Sequence, residues 1–498
     1  MIKTTRHIAL CLFFLLSVTG SAQLVISPGS SITITQGTLF FIGTNLYIKS
    51  DGSGSGHLAD QNLSGNTTIT GDITIDRYLS ADGWHNTSSP VNNSTSSIFT
   101  GTDLIFYYDE TIILNDWNFG WVWYDGPLSV MRGYDIFLPS TITTSYYSSS
   151  SGNLNSGTYS LDITRTDPAN GEVENRKGWN LLGNPFPSPL DWLKETGWNK
   201  NDINDAKYIW NPDNSNYTIF LGGTAPTGIN GATQYIPSNQ GFWVQAMNNG
   251  SVQVDNTARV GVASSTPGFY KNSDQELRLI ASGNNYNDEA LIRFIPVSSI
   301  NFDLNMDASK LFTRNDSVPQ LYTKTSGQLL AINTLPSIKD NLPVLLEFRV
   351  ATAGIYMISI SDHSTVTDFN TVYLLDKLED KMINLSSSLE YRFHHNPSNE
   401  NSRFVIYFNP SEDLIKSHGH TDDFSITTYK NTISIIRNSS EYGQGRLNIY
   451  NLHGQNVYSN SIENTPTTKI NLPLSGGYYI ASIIVNNSKF NYKILISQ

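Results

Sequence analysis

The sequence is short of charge, nearly free of cysteine, and empty of long apolar runs beyond its first residues. Only 15% of residues are charged, against ~25% in ordinary soluble domains. Lysine and glutamate are too scarce to lace long exposed helices with i,i+4 pairs, which argues against a helical protein. The 31 basic residues are outnumbered by 43 acidic ones, a net charge of −12. That balance excludes a nucleic-acid partner, because phosphate binding needs a basic face. The single cysteine is Cys11. No segment after residue 22 is long and apolar enough to span a bilayer as a helix. What the chain does have is aromatics: 9 Trp, 26 Tyr and 22 Phe in 498 residues. They suffice for large cores and exclude wholesale disorder. The length exceeds the ~250–300 residues at which one core stops growing, so several domains are expected.

Residues 1–22 read as a secretory signal. Lys3 and Arg6 form a positive start, Ile8–Leu16 an apolar stretch, and Gly20-Ser21-Ala22 a small-residue cleavage site before Gln23. A lipoprotein would need a cysteine at that point, and Gln23 stands there instead. Cleavage would leave 29 basic and 43 acidic residues and no cysteine. That excludes a cysteine nucleophile, thiolate zinc sites and iron–sulfur chemistry in the mature chain.

The remainder reads as all-β, with short alternating strands separated by Gly, Asn, Asp and Ser turns. Residues 23–76 form a solenoid-like segment in which Ile32 and Ile34, and later Ile73 and Ile75, alternate with polar residues. Each such strand buries one face and needs neighbours. Residues 77–265 read as a β-sandwich-like passenger domain with one short helix at Pro189–Glu195, capped by Ser188. Residues 266–410 read as a second β-sandwich, punctuated by Leu277, Leu279, Leu291, Phe294, Leu345, Phe348, Val350, Phe404, Ile406 and Phe408. Residues 411–424 read as a polar, irregular linker, and 425–498 as a small immunoglobulin-like sandwich.

The richest candidate for chemistry is Asn115–Tyr124. Trp117, Trp121 and Trp123 share one parity, so a continuous strand puts them on one face, unless Gly120 interrupts it. Exposed, they would stack on sugar rings; buried, they are a core ladder gaining ~1.5–3 kcal/mol per ring. His418, His420, Asp422 and Asp423 carry metal-ligand atoms in the expected linker. Asp202–Asp205 and Asp303–Asp307 offer oxygens of the kind calcium uses, without an EF-hand pattern. No catalytic, metal or cofactor residue is assigned; a structural calcium is the one ion these tracts admit. The sequence contains no G-x-S-x-G elbow, HExxH, Walker or Rossmann fingerprint. Glu172 with Glu174, and Trp84 with His85, are better explained as a strand edge and as the polar rim of an aromatic core. Paired carboxylates that meet only in space stay open.

Leu447–Tyr458, Ile470–Ile484 and Tyr492–Ile496 resemble the type A sorting domain of the type IX secretion system. Ile449, Gly454, Val457, Gly477, Tyr478 and Lys493 stand at the family's pattern positions. Ile73–His85, Gly178–Trp192, Ile236–Ala246, Val372–Asp376, Tyr391–Phe393 and Arg403–Phe408 resemble the uncharacterised β-rich passengers that accompany it. The resemblance implies export across a Gram-negative outer membrane by a translocon that recognises the tail, with cleavage in the preceding linker by a processing peptidase. It also implies release of the passenger or its attachment to surface lipopolysaccharide. The expectation is therefore a secreted or cell-surface β-protein, non-enzymatic, acting as an adhesin or matrix component. The alternative is a carbohydrate-binding or glycan-degrading secreted protein.

Overall fold

The computed structural model describes residues 23–496 apart from 66, 81–82, 113–119, 149–153, 168–176, 262–274, 337–342, 361–370, 421–423, 438–442 and 486–487. The signal-like segment, Trp117, Glu172 and Glu174 lie outside the described residues. Among the described residues no helix is long and apolar enough to cross a membrane. The chain divides into two compact units. One holds the N-terminal part with 176–212 and 233–268; the other holds 213–232 and everything from 269 onward.

The first unit begins as a parallel β-solenoid. Gln23–Ile26 pairs in parallel with Asn45–Ile48, and that strand with Ile73–Leu79. Ser31–Ile34 pairs with His57–Asp60, and Phe40–Ile42 with Thr67–Ile69. The registers stack Ile26 on Ile48 on Ile75, and Leu24 on Leu46 on Ile73. Rungs this short close only where the corners admit bare backbone. At Gly71 a Cβ would lie 2.4 Å from Asn45 Oδ1, so only glycine fits. Inside the second rung Asp60 is buried, and its carboxylate accepts from the Asn62 and Thr67 amides at 3.0 and 2.9 Å.

Ile73–Leu79 ends the solenoid by pairing on its other edge, antiparallel, with Ile142–Ser148. The apolar columns continue without a break into the next sheet, ordered Gly83–Thr87, Tyr134–Leu138, Ile105–Tyr108, Trp121–Trp123. One hydrophobic cluster runs from Ile26 to Ile136, Leu138 and Tyr146. A second sheet contains Trp179–Gly183, Gly241–Gln245 and Ala206–Asn211. The fully buried Arg259 ties the solenoid to the segment at Ser188: Nη2 donates to Leu58 O (2.5 Å), Nε to Ser188 Oγ (3.0 Å) and Nη1 to Asn256 Oδ1 (3.2 Å).

That network corrects the helix expected at Pro189–Glu195. Leu190–Asp191 is a short strand paired with Tyr235–Ile236, and Trp192 N donates to Gln234 O at 3.0 Å. The Ser188 hydroxyl, which would have capped a helix, is held by Arg259. Leu190 and Trp192 are both fully buried, and tertiary burial outweighs the local capping signal.

The second unit is built on one sheet, twelve strands among the described residues, curled until it nearly closes. Its order is Glu390–His395, Gly354–Ile360, Gln275–Gly283, Tyr286–Phe294, Gln328–Leu335, Gln320–Thr325, Val344–Arg349, Phe404–Phe408, Val372–Asp376, Lys381–Asn384, Gly419–His420, with Ala308–Ser309 off this path. A single core fills it, from Leu277 to Phe408. Leu345 is the exception to the expected pattern: it is exposed, and Val344 and Leu346 point inward instead. The hairpin Asn216–Leu221 and Thr227–Ile229 belongs to this unit. Asp288, fully buried, holds it through Asn216 Nδ2 (2.9 Å) and Asn230 Nδ2 (3.1 Å), while Lys310 Nζ neutralises the carboxylate at 2.5 Å.

Residues 411–420 are not the irregular linker expected. Glu412–Ser417 is a helix capped by Ser411, whose side chain accepts from Leu414 N, and Gly419–His420 adds in parallel to Lys381–Asn384. Leu414 and Ile415 supply the reason: they pack against Leu375, Met382 and Val405. The remaining tail is a two-sheet sandwich with its own core, from Phe424 through Ile433, Leu447 and Ile483 to Ile496.

The large sheet's most exacting contact is Arg403 on Asp376. Nε donates to Oδ1 at 2.8 Å and Nη2 to Oδ2 at 2.6 Å, with both side chains at 3% exposure or less. Removing one partner of such a pair costs about 3–5 kcal/mol, because the other charge stays buried. Asp376→Ala in the full chain is expected to lower this unit's unfolding free energy by that amount, read as a lower denaturant midpoint; an unchanged midpoint would contradict the pairing.

Candidate functional site

Trp121 and Trp123 sit on one face of their strand, as the parity predicts. Their cross-strand partners are Tyr108 and Phe106. Gly120 directly precedes the strand, where a Cβ would lie 2.6 Å from the Tyr108 ring, and the stretch back to Trp117 lies outside the described residues. The two tryptophans then part company. Trp121 is half-buried, edge-on to Tyr108 at 5.2 Å and to Trp243 at 5.5 Å. Trp123 is 57% exposed, and its Nε1 donates to Asp103 O at 2.9 Å. Trp84 extends the same aromatic face through Phe137 and Phe106, at 5.4 and 5.9 Å. The segment is thus part core and part surface.

The intervening residues, Tyr107 and Tyr124, point to the opposite face and line a cleft of about 390 Å³. Tyr107 and Tyr124 meet edge-on at 5.7 Å, and Tyr124 lies 5.4 Å from Tyr134. Burial raises the pKa of the Tyr134 phenol, whose oxygen accepts from Ser129 N at 2.7 Å. Arg132 lies over the Tyr107 ring at 4.9 Å. Asp162, Thr164, Asn180 and Leu181 complete the wall.

The cleft's framework is rigidly bonded. Buried Glu110 accepts from Thr166 N (2.8 Å), Thr166 Oγ1 (2.8 Å) and Gly178 N (2.9 Å). Asn180 exchanges hydrogen bonds with the Thr164 backbone at 2.9 and 3.1 Å. Asp109 accepts from Thr111 N and Oγ1. Sequence reasoning missed this site. Its residues come from strands between positions 107 and 181, and the only local signal was the aromatic run at 121–124.

The metal candidates are spread apart. His418 Nδ1 contacts Asp380 Oδ1 at 2.6 Å, His420 lies in the added strand, and Asp422 and Asp423 fall outside the described residues. Asp205 pairs with Lys200 at 2.5 Å. Asp307 accepts from the Asp303 and Thr334 amides at 2.7 and 2.6 Å, which makes it a turn clamp. Among the described residues no three His, Asp or Glu side chains converge on one point. Trp84 and His85 lie on opposite faces of their strand, and the His85 ring contacts Ser80 O at 3.0 Å.

In the tail the six pattern residues divide by role. Ile449 is fully buried in the core. Gly454, at φ 78°, closes the turn in which Asn451 Oδ1 accepts from His453 and Gln455 amides, both at 3.0 Å. Gly477 opens the strand Gly477–Val485, which pairs with Ser488–Ile496. Val457 and Tyr478 are exposed, and Lys493 Nζ sits 4.5 Å above the Tyr478 ring. Three residues therefore build the sandwich, and three are displayed on it.

The two-sheet tail follows the large β-rich part of the chain in sequence. Residues 406–497 match the secretion system C-terminal sorting domain family, so the protein goes to the cell surface or the extracellular space by the type IX route. Residues 6–408 match a domain of unknown function, DUF8693, and the chain belongs to that family. No curated protein matches the chain. The sorting-family match begins at 406, inside the strand Phe404–Phe408 that runs between Val344–Arg349 and Val372–Asp376.

Asp307 gives the second unit a pH signature. Burial pushes its pKa up to about 7, well above the ordinary carboxylate value of 3.8. Between those values the folded chain holds a proton that the unfolded chain has lost, so stability declines as pH rises through this window. The unfolding midpoint is expected to fall from pH 4 to 7, and Asp307→Asn to flatten that slope; an equal slope in both proteins would refute it.

Proposed function

We propose that this protein is an adhesin or matrix component, non-enzymatic, that holds saccharide in the cleft lined by Tyr107, Tyr124 and Tyr134. The observation carrying this reading is the cleft itself: three phenol rings, with polar groups fixed around them. Sugar rings offer an apolar face to such rings and hydroxyls to the polar rim. Glu110 and Asp109 are committed to framework hydrogen bonds. Asp162 is the one lining carboxylate without a side-chain partner among the described residues. That favours binding over glycoside hydrolysis, which requires two working carboxyl groups. The exposed Trp123 lies on the other face of the same sheet and gives a second, smaller platform.

The route to the surface runs through a signal at 1–22, the outer-membrane translocon and a processing peptidase, with release or attachment to lipopolysaccharide at the end. Residues 404–420 are woven into the passenger and Phe424 is buried in the tail core. A cut that spares both falls after His420 and before Phe424. Mass spectrometry of the exported form is expected to find its C-terminus there; an end before Phe404 would refute this boundary.

The binding reading is tested with the exported protein on an array of glycans and matrix proteins. Binding that drops about tenfold or more in Tyr107→Ala supports it. Absence of binding to every glycan overturns it.

A further inference from the structure

Arg132 differs from the other well-enclosed arginines. Arg403 is paired with Asp376, and Arg278 with Glu276 and Glu289. Arg259 donates to a carbonyl, a hydroxyl and an amide oxygen. Arg132 is only partly exposed, yet among the described residues its guanidinium has no carboxylate, carbonyl or hydroxyl partner; it rests on the Tyr107 ring at 4.9 Å. Asp109, Glu110 and Asp162 line the same cleft, and none of their carboxylates is paired with the Arg132 guanidinium. A guanidinium held over a ring in this way keeps N–H groups that suit a planar, two-oxygen acceptor. Asp162 lines the same cleft, exposed and likewise without a side-chain partner among the described residues. A carboxylate at this place suits hydroxyl donors and disfavours a ligand made only of anionic groups.

We infer that the cleft selects acidic saccharides: the anionic group lies on Arg132, the ring on the tyrosines, and the hydroxyls donate to Asp162. This rests on the saccharide reading of the cleft and adds its charge class. A uronate carboxylate and a sulfate ester share the required chemistry, and the experiment separates them.

The test is calorimetry of the full exported protein with a uronate oligosaccharide, its methyl ester, a sulfated oligosaccharide and a neutral one of equal length. The uronate or the sulfated sugar is expected to bind at least about tenfold more tightly than the neutral one, and added salt to weaken it. Arg132→Gln should bring acidic and neutral ligands to the same affinity, with Arg132→Lys in between. Esterification removes the charge without touching the protein, so it decides the matter for uronate even if a variant folds poorly. Equal affinity for charged and neutral sugars, lost in Tyr107→Ala, overturns the acidic selectivity and leaves the saccharide reading standing. No binding of any sugar overturns both.

Discussion

The closed core of the sorting tail is the constraint on which the account depends. Phe424, Ile433, Ile435, Leu447, Ile449, Ile483 and Ile496 bury their side chains against one another, and among the described residues none before Phe424 belongs to that cluster. The large sheet ends its own cluster at Phe408. Between them, 411–420 satisfies its apolar residues on the passenger side, through Leu414 and Ile415. The cargo keeps its edge strand and helix, and the tail keeps its sandwich. A tail that the export machinery recognises can then be engaged without opening the cargo, and this partition of apolar side chains permits it.

The cargo is stabilised in an unusual way for a chain with so few charges. Several of them are spent inside. Arg259, Asp288 with Lys310, Arg293, and Asp376 with Arg403 are all nearly or fully buried. Each holds segments far apart in sequence: Arg293, for example, donates to Ala225 O, Met306 O and Thr334 Oγ1. Short strands have little intrinsic preference for one partner over another. A buried ion that only one arrangement satisfies gives such strands a fixed register, at the cost of desolvation. Against that background Arg132, whose guanidinium has no hydrogen-bond or ionic partner among the described residues, is where the proposed saccharide would supply one.

The sequence made the class of fold legible and left its joints obscure. Alternation at Ile32–Ile34 and Ile73–Ile75 announced stacked one-faced strands, and they form a parallel solenoid. The parity of Trp121 and Trp123 was right, because a strand alternates whatever covers it. What covers it was unreadable: Tyr108 and Trp243 take one ring and solvent takes the other. The helix at 189–195 failed because Arg259, about seventy residues away, claims Ser188. The linker failed because Leu414 and Ile415 find an apolar surface that local polarity does not reveal. The cleft was invisible, since Tyr107, Arg132, Asp162 and Asn180 share no spacing and meet only through sheet pairing. The tail was the most legible part, because its turn glycine and its alternating strands are local features.

Hydrogen exchange on the full chain tests the central claim directly. If tail and cargo have separate interiors, the amides of Ile435, Ile449 and Ile483 exchange as one cooperative group and those of Leu279, Leu346 and Ile406 as another. Destabilising the cargo with Asp376→Ala should then speed the second group and leave the first unchanged. Acceleration of both groups together would contradict the account, because it would mean that tail and cargo share one folding unit.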